Sequence, residues 1–260
     1  MRNIKLTIAY EGTAYHGWQR QKVPAGAILA GAGQEEPATI EWSIEQALVR
    51  VVKHPVRLTT AGRTDAGVHA AGQVANFKTP TCQTPAERVS QAINARLPID
   101  IQILEAADAA ETFNARRDAI RKLYRYRIFH DSRLPPIEIA RRVWHRWQDL
   151  DVDRMSSAGA ALVGEHDFKS FASAGEKRDN TVRLLFECNV VRAGSEIQFD
   201  LIGSGFLYNM VRNIVGTLVE VGRGRREPSE MPEILAARRR TAAGPTAPPQ
   251  GLCLQWVEYP

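Results

Sequence analysis

Val56-Arg57-Leu58-Thr59-Thr60-Ala61-Gly62-Arg63-Thr64-Asp65-Ala66-Gly67-Val68-His69-Ala70-Ala71-Gly72-Gln73-Val74-Ala75-Asn76-Phe77 decides how the first part of this chain folds. Val56–Thr60 and Gln73–Phe77 read as two strands, and the run Ala61–Ala70 between them has no apolar periodicity. It packs two glycines, an acid, a base and a hydroxyl into a few residues. That composition suits a sharp, irregular turn in which backbone comes close to a ligand. Arg63 and Asp65 are two apart, so on extended backbone they share a face, and the guanidinium helps keep the carboxylate ionised. Taken alone, the run fits equally a loop closed by an ordinary surface ion pair.

Upstream, Ile4, Leu6, Ile8 and Tyr10 alternate with polar residues as a half-buried strand does. A glycine-punctuated loop follows, Tyr10 to Gln21, with three aromatics that are either core plugs or stacking platforms. Val23–Ala38, rich in Ala, Gly and Pro, reads as a surface insertion. Ile40, Ile44, Ala47, Leu48 and Val51 recur at helical spacing, and the helix is expected to stop before Pro55. Downstream, Thr84-Pro85-Ala86-Glu87 has the form of a capping box with proline at the first helical position, opening a helix through Val89 and Ile93. Pro98 ends it, and Ile99, Ile101 and Ile103 alternate as a fourth strand. The order is β-α-β-β-α-β, that of ferredoxin-like and RNA-recognition domains.

From about residue 113 the character changes, which divides the chain into 1–112 and 113–260. Ile120, Lys122, Tyr124, Tyr126 and Ile128 share one face of a strand, with Arg121, Leu123, Arg125 and Arg127 on the other. Two readings stay open there. Either the tyrosines are core and the arginines meet water, or the aromatics face a base and the arginines a phosphate. Asp151–Leu162 reads as a helix closed by Gly164, with Phe168 and Phe171 in the core. Leu184–Val191 and Ile197–Ile202, joined by Ala193-Gly194-Ser195, read as a hairpin. Leu207, Met210, Val211, Ile214, Val215, Leu218 and Val219 define an amphipathic helix ending at Gly222, with Asn209, Arg212, Asn213 and Gly216 toward its polar side. Gly244–Pro249 reads as a proline-rich linker before a last strand carrying Leu252, Leu254 and Trp256.

Composition narrows the function. The chain has 260 residues, 44% hydrophobic and 24% charged, a globular balance that excludes disorder. No apolar run is long enough to span a bilayer and no signal-peptide core follows Met1, so a cytoplasmic protein is expected. Cys82, Cys188 and Cys253 are far apart and odd in number, which points to buried free thiols rather than disulfides or zinc. The formal charge is +5, and of 34 basic residues 27 are Arg. Ten Arg or Lys lie between Arg116 and Arg146 against three acids, and shorter runs follow at Arg223–Arg226 and Arg238–Arg240. Such clustering suits a polyanionic partner. His130-Asp131 and His166-Asp167 raise a metal-dependent hydrolase, but no further ligands stand at metal spacing.

Several stretches then agree in order: Tyr10-Glu11-Gly12-Thr13 with Gly17-Trp18-Gln19, Gly62-Arg63-Thr64-Asp65-Ala66-Gly67-Val68-His69, Tyr124-Arg125-Tyr126, His166-Asp167-Phe168, Gly205-Phe206-Leu207-Tyr208-Asn209-Met210-Val211-Arg212 and Gly251-Leu252-Cys253-Leu254. Together they resemble the TruA family of tRNA pseudouridine synthases over nearly the whole chain. The resemblance implies an α+β fold of two ferredoxin-like (RRM-like) α/β lobes with antiparallel sheets flanking a central basic active-site cleft. It implies an isomerase, a homodimer without cofactor or metal, that converts uridine to pseudouridine at positions 38 to 40 in the anticodon stem-loop of tRNA.

By the same resemblance Asp65 is the catalytic aspartate, Tyr124 contacts the target base, Arg212 pairs with the aspartate and Leu254 supplies an apolar wall. Arg63 is a further candidate for substrate contact. Arg116, Arg117, Arg121, Arg125, Arg141, Arg142, Arg223, Arg225 and Arg226 are the candidates for phosphate contact. The sequence departs from the family at Glu41-Trp42, at Cys253 and in the length of the Val23–Ala38 insertion, all outside these positions. The rival reading is a non-catalytic basic RNA-binding protein, which leaves the Gly-Arg-Thr-Asp loop and the second lobe without a purpose.

Overall fold

Alternating burial builds the first sheet. β1 (Arg2–Tyr10) sends Ile4, Leu6 and Ile8 into the core with no exposed surface. The computed structural model describes residues 1–19, 38–173, 175–176 and 178–260, so the insertion lies outside the described residues except for Ala38. Two compact units are present, Met1–Asp118 and Ala119–Pro260.

In the first unit the remaining elements are α1 (Ile40–Val52), β2 (Thr59–Thr60), β3 (His69–Thr79), α2 (Ala86–Asn94) and β4 (Ile101–Ala109). β1 is central and antiparallel to both β3 and β4, and β2 pairs antiparallel with β3, so the order is β4-β1-β3-β2. α1 is capped by Thr39, whose hydroxyl accepts from Trp42 N–H, and buries Ile40, Ile44, Ala47, Leu48 and Val52. Val52, not the expected Val51, completes the stripe. A register shift in β1 between Thr7 and Ile8 explains why β4 buries Ile101 and Ile103 and then Ala106. The extra residue moves the inward face by one position.

Four expectations for this unit are corrected. The strand expected over Val56–Thr60 shrinks to Thr59–Thr60, because the Leu58 N–H is taken by the Glu45 carboxylate at 3.0 Å instead of a neighbouring strand. The capping box at Thr84 does not form. The helix starts one residue later than the box requires, so the N-cap is Pro85, which has no side-chain acceptor; Arg2 donates to the Thr84 carbonyl at 2.6 Å. Ile99 lies outside β4 and is fully exposed. Of the three thiols only Cys188, in the second unit, is buried; Cys82 and Cys253 are partly exposed.

The second unit contains β5 (Arg121–His130), β6 (Trp144–Arg146), α3 (Val152–Ala160), β7 (Gly164–Asp167), β8 (Val182–Ala193), β9 (Glu196–Gly203), α4 (Met210–Gly222), α5 (Met231–Ala237) and β10 (Leu252–Glu258). Its sheet runs β10-β5-β9-β8-β7 with every neighbour antiparallel, and β6 adds a short parallel pairing to β5. β8 and β9 meet at a two-residue turn, Gly194-Ser195, with Gly194 at φ +61°. α3 is capped by Asp151, but it ends at Ala160; Gly164 opens β7 instead of closing the helix. No helix among the described residues is long and apolar enough to cross a membrane.

α4 differs most from expectation. Asn213 and Gly216, assigned to a polar side, are buried with the apolar residues. The segment after α5 covers them. Asn213 donates to Phe171 O and its amide oxygen accepts from Thr246 and Arg240, while Thr217 accepts from Gly244 N–H at 2.8 Å. Gly244–Pro249 is therefore packed against α4 rather than a linker, with Ala247 1% exposed.

Candidate active site

Two loops of the first unit clasp one another around Asp65. The loop after β1 is tethered by Tyr15, whose hydroxyl donates to Asp100 at 2.6 Å. Burial, followed by that bond to a carboxylate, holds the Tyr15 phenol well above its usual range. The Tyr10 hydroxyl meets the Thr64 hydroxyl at 2.8 Å, both residues buried. Gly12 N–H donates to Nδ1 of the buried His69 at 3.1 Å, which leaves the ring neutral with its proton on Nε2. Trp18 N–H donates to Thr64 O at 3.0 Å.

Close backbone approach explains the glycines. A methyl on Gly12 would strike the Val68 carbonyl, and one on Gly17 would lie 2.8 Å from Thr64 O. Gly17 also sits at φ +87°, a region side chains rarely adopt. On the far side of the motif, Gln73 and Thr60 side chains donate to Gly62 O, and Val68 N–H donates to Asp65 O at 3.1 Å. The residues on either side of the aspartate, Thr64 and Val68, are thus fixed, while Asp65 itself is half-buried. Arg63 is exposed and forms no ion pair among the described residues. The two residues do not make the local ion pair that their spacing suggested.

In the second unit, Tyr124 of β5 and Leu254 of β10 stand directly opposite in the antiparallel ladder. The Tyr124 ring is 7% exposed and meets Phe206 edge-on, with centroids 5.1 Å apart at 81°. Tyr126 and Ile128 on the same face are fully buried, so this face of the strand is core. Burial raises the Tyr126 phenol, which donates to Pro248 O at 2.8 Å. Arg212 lies in the first turn of α4, where Nε donates to Ala247 O at 2.8 Å and a terminal nitrogen to the Asn209 side chain at 2.8 Å. Those bonds tie the guanidinium to the covering segment at Ala247 and to the start of α4 at Asn209.

Most of the candidate phosphate contacts have carboxylate partners. Arg125 forks onto Asp200, its register partner on β9, at 2.7 and 2.6 Å. Arg121 pairs with Glu258 and stacks over Trp256, and Arg117 pairs with Asp118. Arg223 and Arg225 share Glu220, and Arg226 reaches Glu230 at 3.5 Å. Arg116, Arg141 and Arg142 are exposed, the last two on a single 3-10 turn, Ala140–Arg142. Among the described residues no three His, Cys, Asp or Glu side chains group as a metal site. Tyr10, Gly12, Gly17 and His69 were missed as positioning residues, although the matched glycines in Gly12-Thr13-Ala14-Tyr15-His16-Gly17 and Gly62–Gly67 were a visible signal.

The family model described as tRNA pseudouridine synthase matches residues 6–117 and 158–260. The chain is 46% identical to a tRNA pseudouridine synthase A of Moorella thermoacetica over 256 residues, 98% of this chain and 99% of that protein. It is 46% identical to the protein of the same name from Geotalea uraniireducens over 259 residues, the full length of both. The Exiguobacterium protein of that name is 44% identical over 259 residues, covering 98% of its length.

Proposed function

Because the chain belongs to the tRNA pseudouridine synthase family, we propose that it isomerises uridine to pseudouridine in tRNA, at positions 38 to 40 of the anticodon stem-loop. The observation that carries this reading is the clasp around Asp65, a carboxylate left half-open between two backbone segments that are themselves fixed. The reaction exchanges a C1′–N1 bond for a C1′–C5 bond. The C5 proton leaves, N1 gains one, and no electrons or groups are transferred, so the chain's own residues suffice in principle.

In this reading Asp65 acts near C1′ and Arg212 is its cationic partner, which opposes the cost of holding a carboxylate away from water. The target base leaves its stack at a few kcal/mol. Contact with Tyr124 returns about 1–3 kcal/mol, and Leu254 opposite it closes an apolar wall. Each unit serves as a ferredoxin-like lobe, for which the β4-β1-β3-β2 order of the first unit is support. The exposed Arg63, Arg116, Arg141 and Arg142 face RNA. The protein works as a cytoplasmic homodimer.

Tritium release from C5-labelled uridine in tRNA tests the reading. Wild type releases tritium and Asp65→Asn does not, with binding of tRNA retained. Release by neither protein, with binding intact, replaces the synthase by a non-catalytic RNA-binding protein.

A further inference from the structure

An open depression of about 500 Å³ on the second unit is lined by Lys169, Arg178, Arg238, Arg239 and Arg240, with Glu176 and Asp179 as its acids. The backbone gathers these cations. α5 ends at Arg238 in the left-handed region, φ 48°, a conformation that costs a non-glycine residue about 1–2 kcal/mol. Arg239 N–H then donates to the buried Ser170 hydroxyl at 3.1 Å, and Arg238 Nε reaches Asp167 at 3.0 Å. Ser170 lies on the turn Phe168–Phe171 and Asp167 caps its start, so the reversal sets Arg239 beside Lys169.

The five cations divide by how their donors are used. Arg240 is half-buried and spends its guanidinium on Asn213, Thr246 and Ala243 O. Arg178 is bidentate to Glu176 and also bonds Phe206 O. Arg238 is engaged by Asp167. Lys169 and Arg239 are exposed, and neither side chain has a hydrogen-bond or ion-pair partner among the described residues. A cation that must first leave a carboxylate gains less from an incoming phosphate than one that is already unpaired.

We infer that Lys169 and Arg239 grip a phosphodiester of the RNA backbone in this depression. The inference rests on tRNA being the substrate. It assigns phosphate binding to residues outside the Arg116–Arg146 and Arg223–Arg226 runs. The grip is electrostatic and lies apart from the bond changes, so it acts on tRNA affinity and leaves turnover of bound tRNA alone.

The test compares wild type, Lys169→Ala/Arg239→Ala and a charge-matched control, Arg50→Ala/Arg88→Ala, whose arginines are exposed on α1 and α2. Filter binding of tRNA is measured from low to moderate salt, with tritium release recorded on the same samples. The Lys169→Ala/Arg239→Ala protein is expected to bind about tenfold more weakly, with a log Kd against log salt slope lower by about 0.7–0.9. Its kcat at saturating tRNA stays within about twofold, and the control moves neither quantity by more than about twofold. An unchanged slope, or an equal loss in the control, overturns the inference while wild-type activity leaves the synthase reading standing. A wild type that binds tRNA without tritium release defeats that reading and not this one; a wild type that does not bind tRNA defeats both. Inorganic phosphate at constant ionic strength is the arm for a free anion. Thermal stabilisation by phosphate that the double variant loses, with the tRNA slope unchanged, assigns the depression to a free anion and overturns the RNA assignment. Arg239→Lys, which keeps the charge, restores most of the slope.

Discussion

The loop that carries Asp65 and the basic depression of the second unit are built on opposite principles. Around Asp65 the two loops are joined largely by buried bonds between uncharged groups: hydroxyl to hydroxyl, amide to imidazole, backbone to backbone. Around Arg238–Arg240 they are charged and largely at the surface. A buried neutral bond loses its full solvation when one partner is removed, whereas an exposed ion pair trades a modest attraction against screening and side-chain entropy. The first region is therefore brittle and fixed in position; the second tolerates change and is tuned by salt and pH.

The sharpest way to break this contrast is Gly12→Ala. The added methyl meets a backbone carbonyl that cannot swing aside, so a loss of about 3 kcal/mol or more is expected. It is read as a lower urea midpoint with the m-value unchanged. A loss below about 1 kcal/mol would mean that the clasp yields. Tyr10→Phe is gentler. It removes one hydroxyl and leaves that of Thr64 buried without this partner, costing about 1–2 kcal/mol. If the clasp positions Asp65, kcat falls while KM for tRNA stays within about twofold; equal changes in both would make the bond merely structural.

The smallest effect is expected in the depression. Burial alone would raise the Glu176 carboxyl, but the Arg178 fork and the Tyr208 and Arg178 N–H groups outweigh it and hold it at about 2. Its unfolded value is about 4.3. The folded value is the lower, so the stabilisation is present above about pH 4.3 and lost as pH falls toward 2. Glu176→Gln should cost about 1 kcal/mol or less at pH 7 and flatten the stability curve between those limits. Urea midpoints at pH 7 and pH 3 measure both; a curve as steep as wild type would show that other carboxylates set the acid limb.

The same contrast governs what could be read beforehand. Ile40, Ile44 and Leu48, like Met210, Ile214 and Leu218, repeat at helical spacing because burial imposes it, and their helices were legible from periodicity alone. Thr84 illustrates the limit. Its capping box is sound local chemistry, but α2 begins one residue later, with Pro85 at the N-cap and no side-chain acceptor there. The Gly244–Pro249 segment failed likewise. Proline and glycine marked it as a spacer, while its fate was set by Asn213 and Thr217 on a helix already read as half polar. At the candidate site residue types singled out the loop around Asp65, while the Tyr10–Thr64 bond that ties it to the loop after β1 was not legible. The arginine runs were legible as charge but not fully as availability, because pairings such as Arg125–Asp200 and Arg238–Asp167 depend on cross-strand register or a distant turn.

Tyr10 and Thr64 stand 54 positions apart, and each loop of the clasp supplies what the other lacks. The Gly-Arg-Thr-Asp segment is consequently not a portable cassette. Transplanted into another scaffold it would carry the carboxylate without its seat. A chimera that exchanges this loop between relatives would need the Tyr10–Trp18 segment from the same parent, so the unit of inheritance here is a pair of segments.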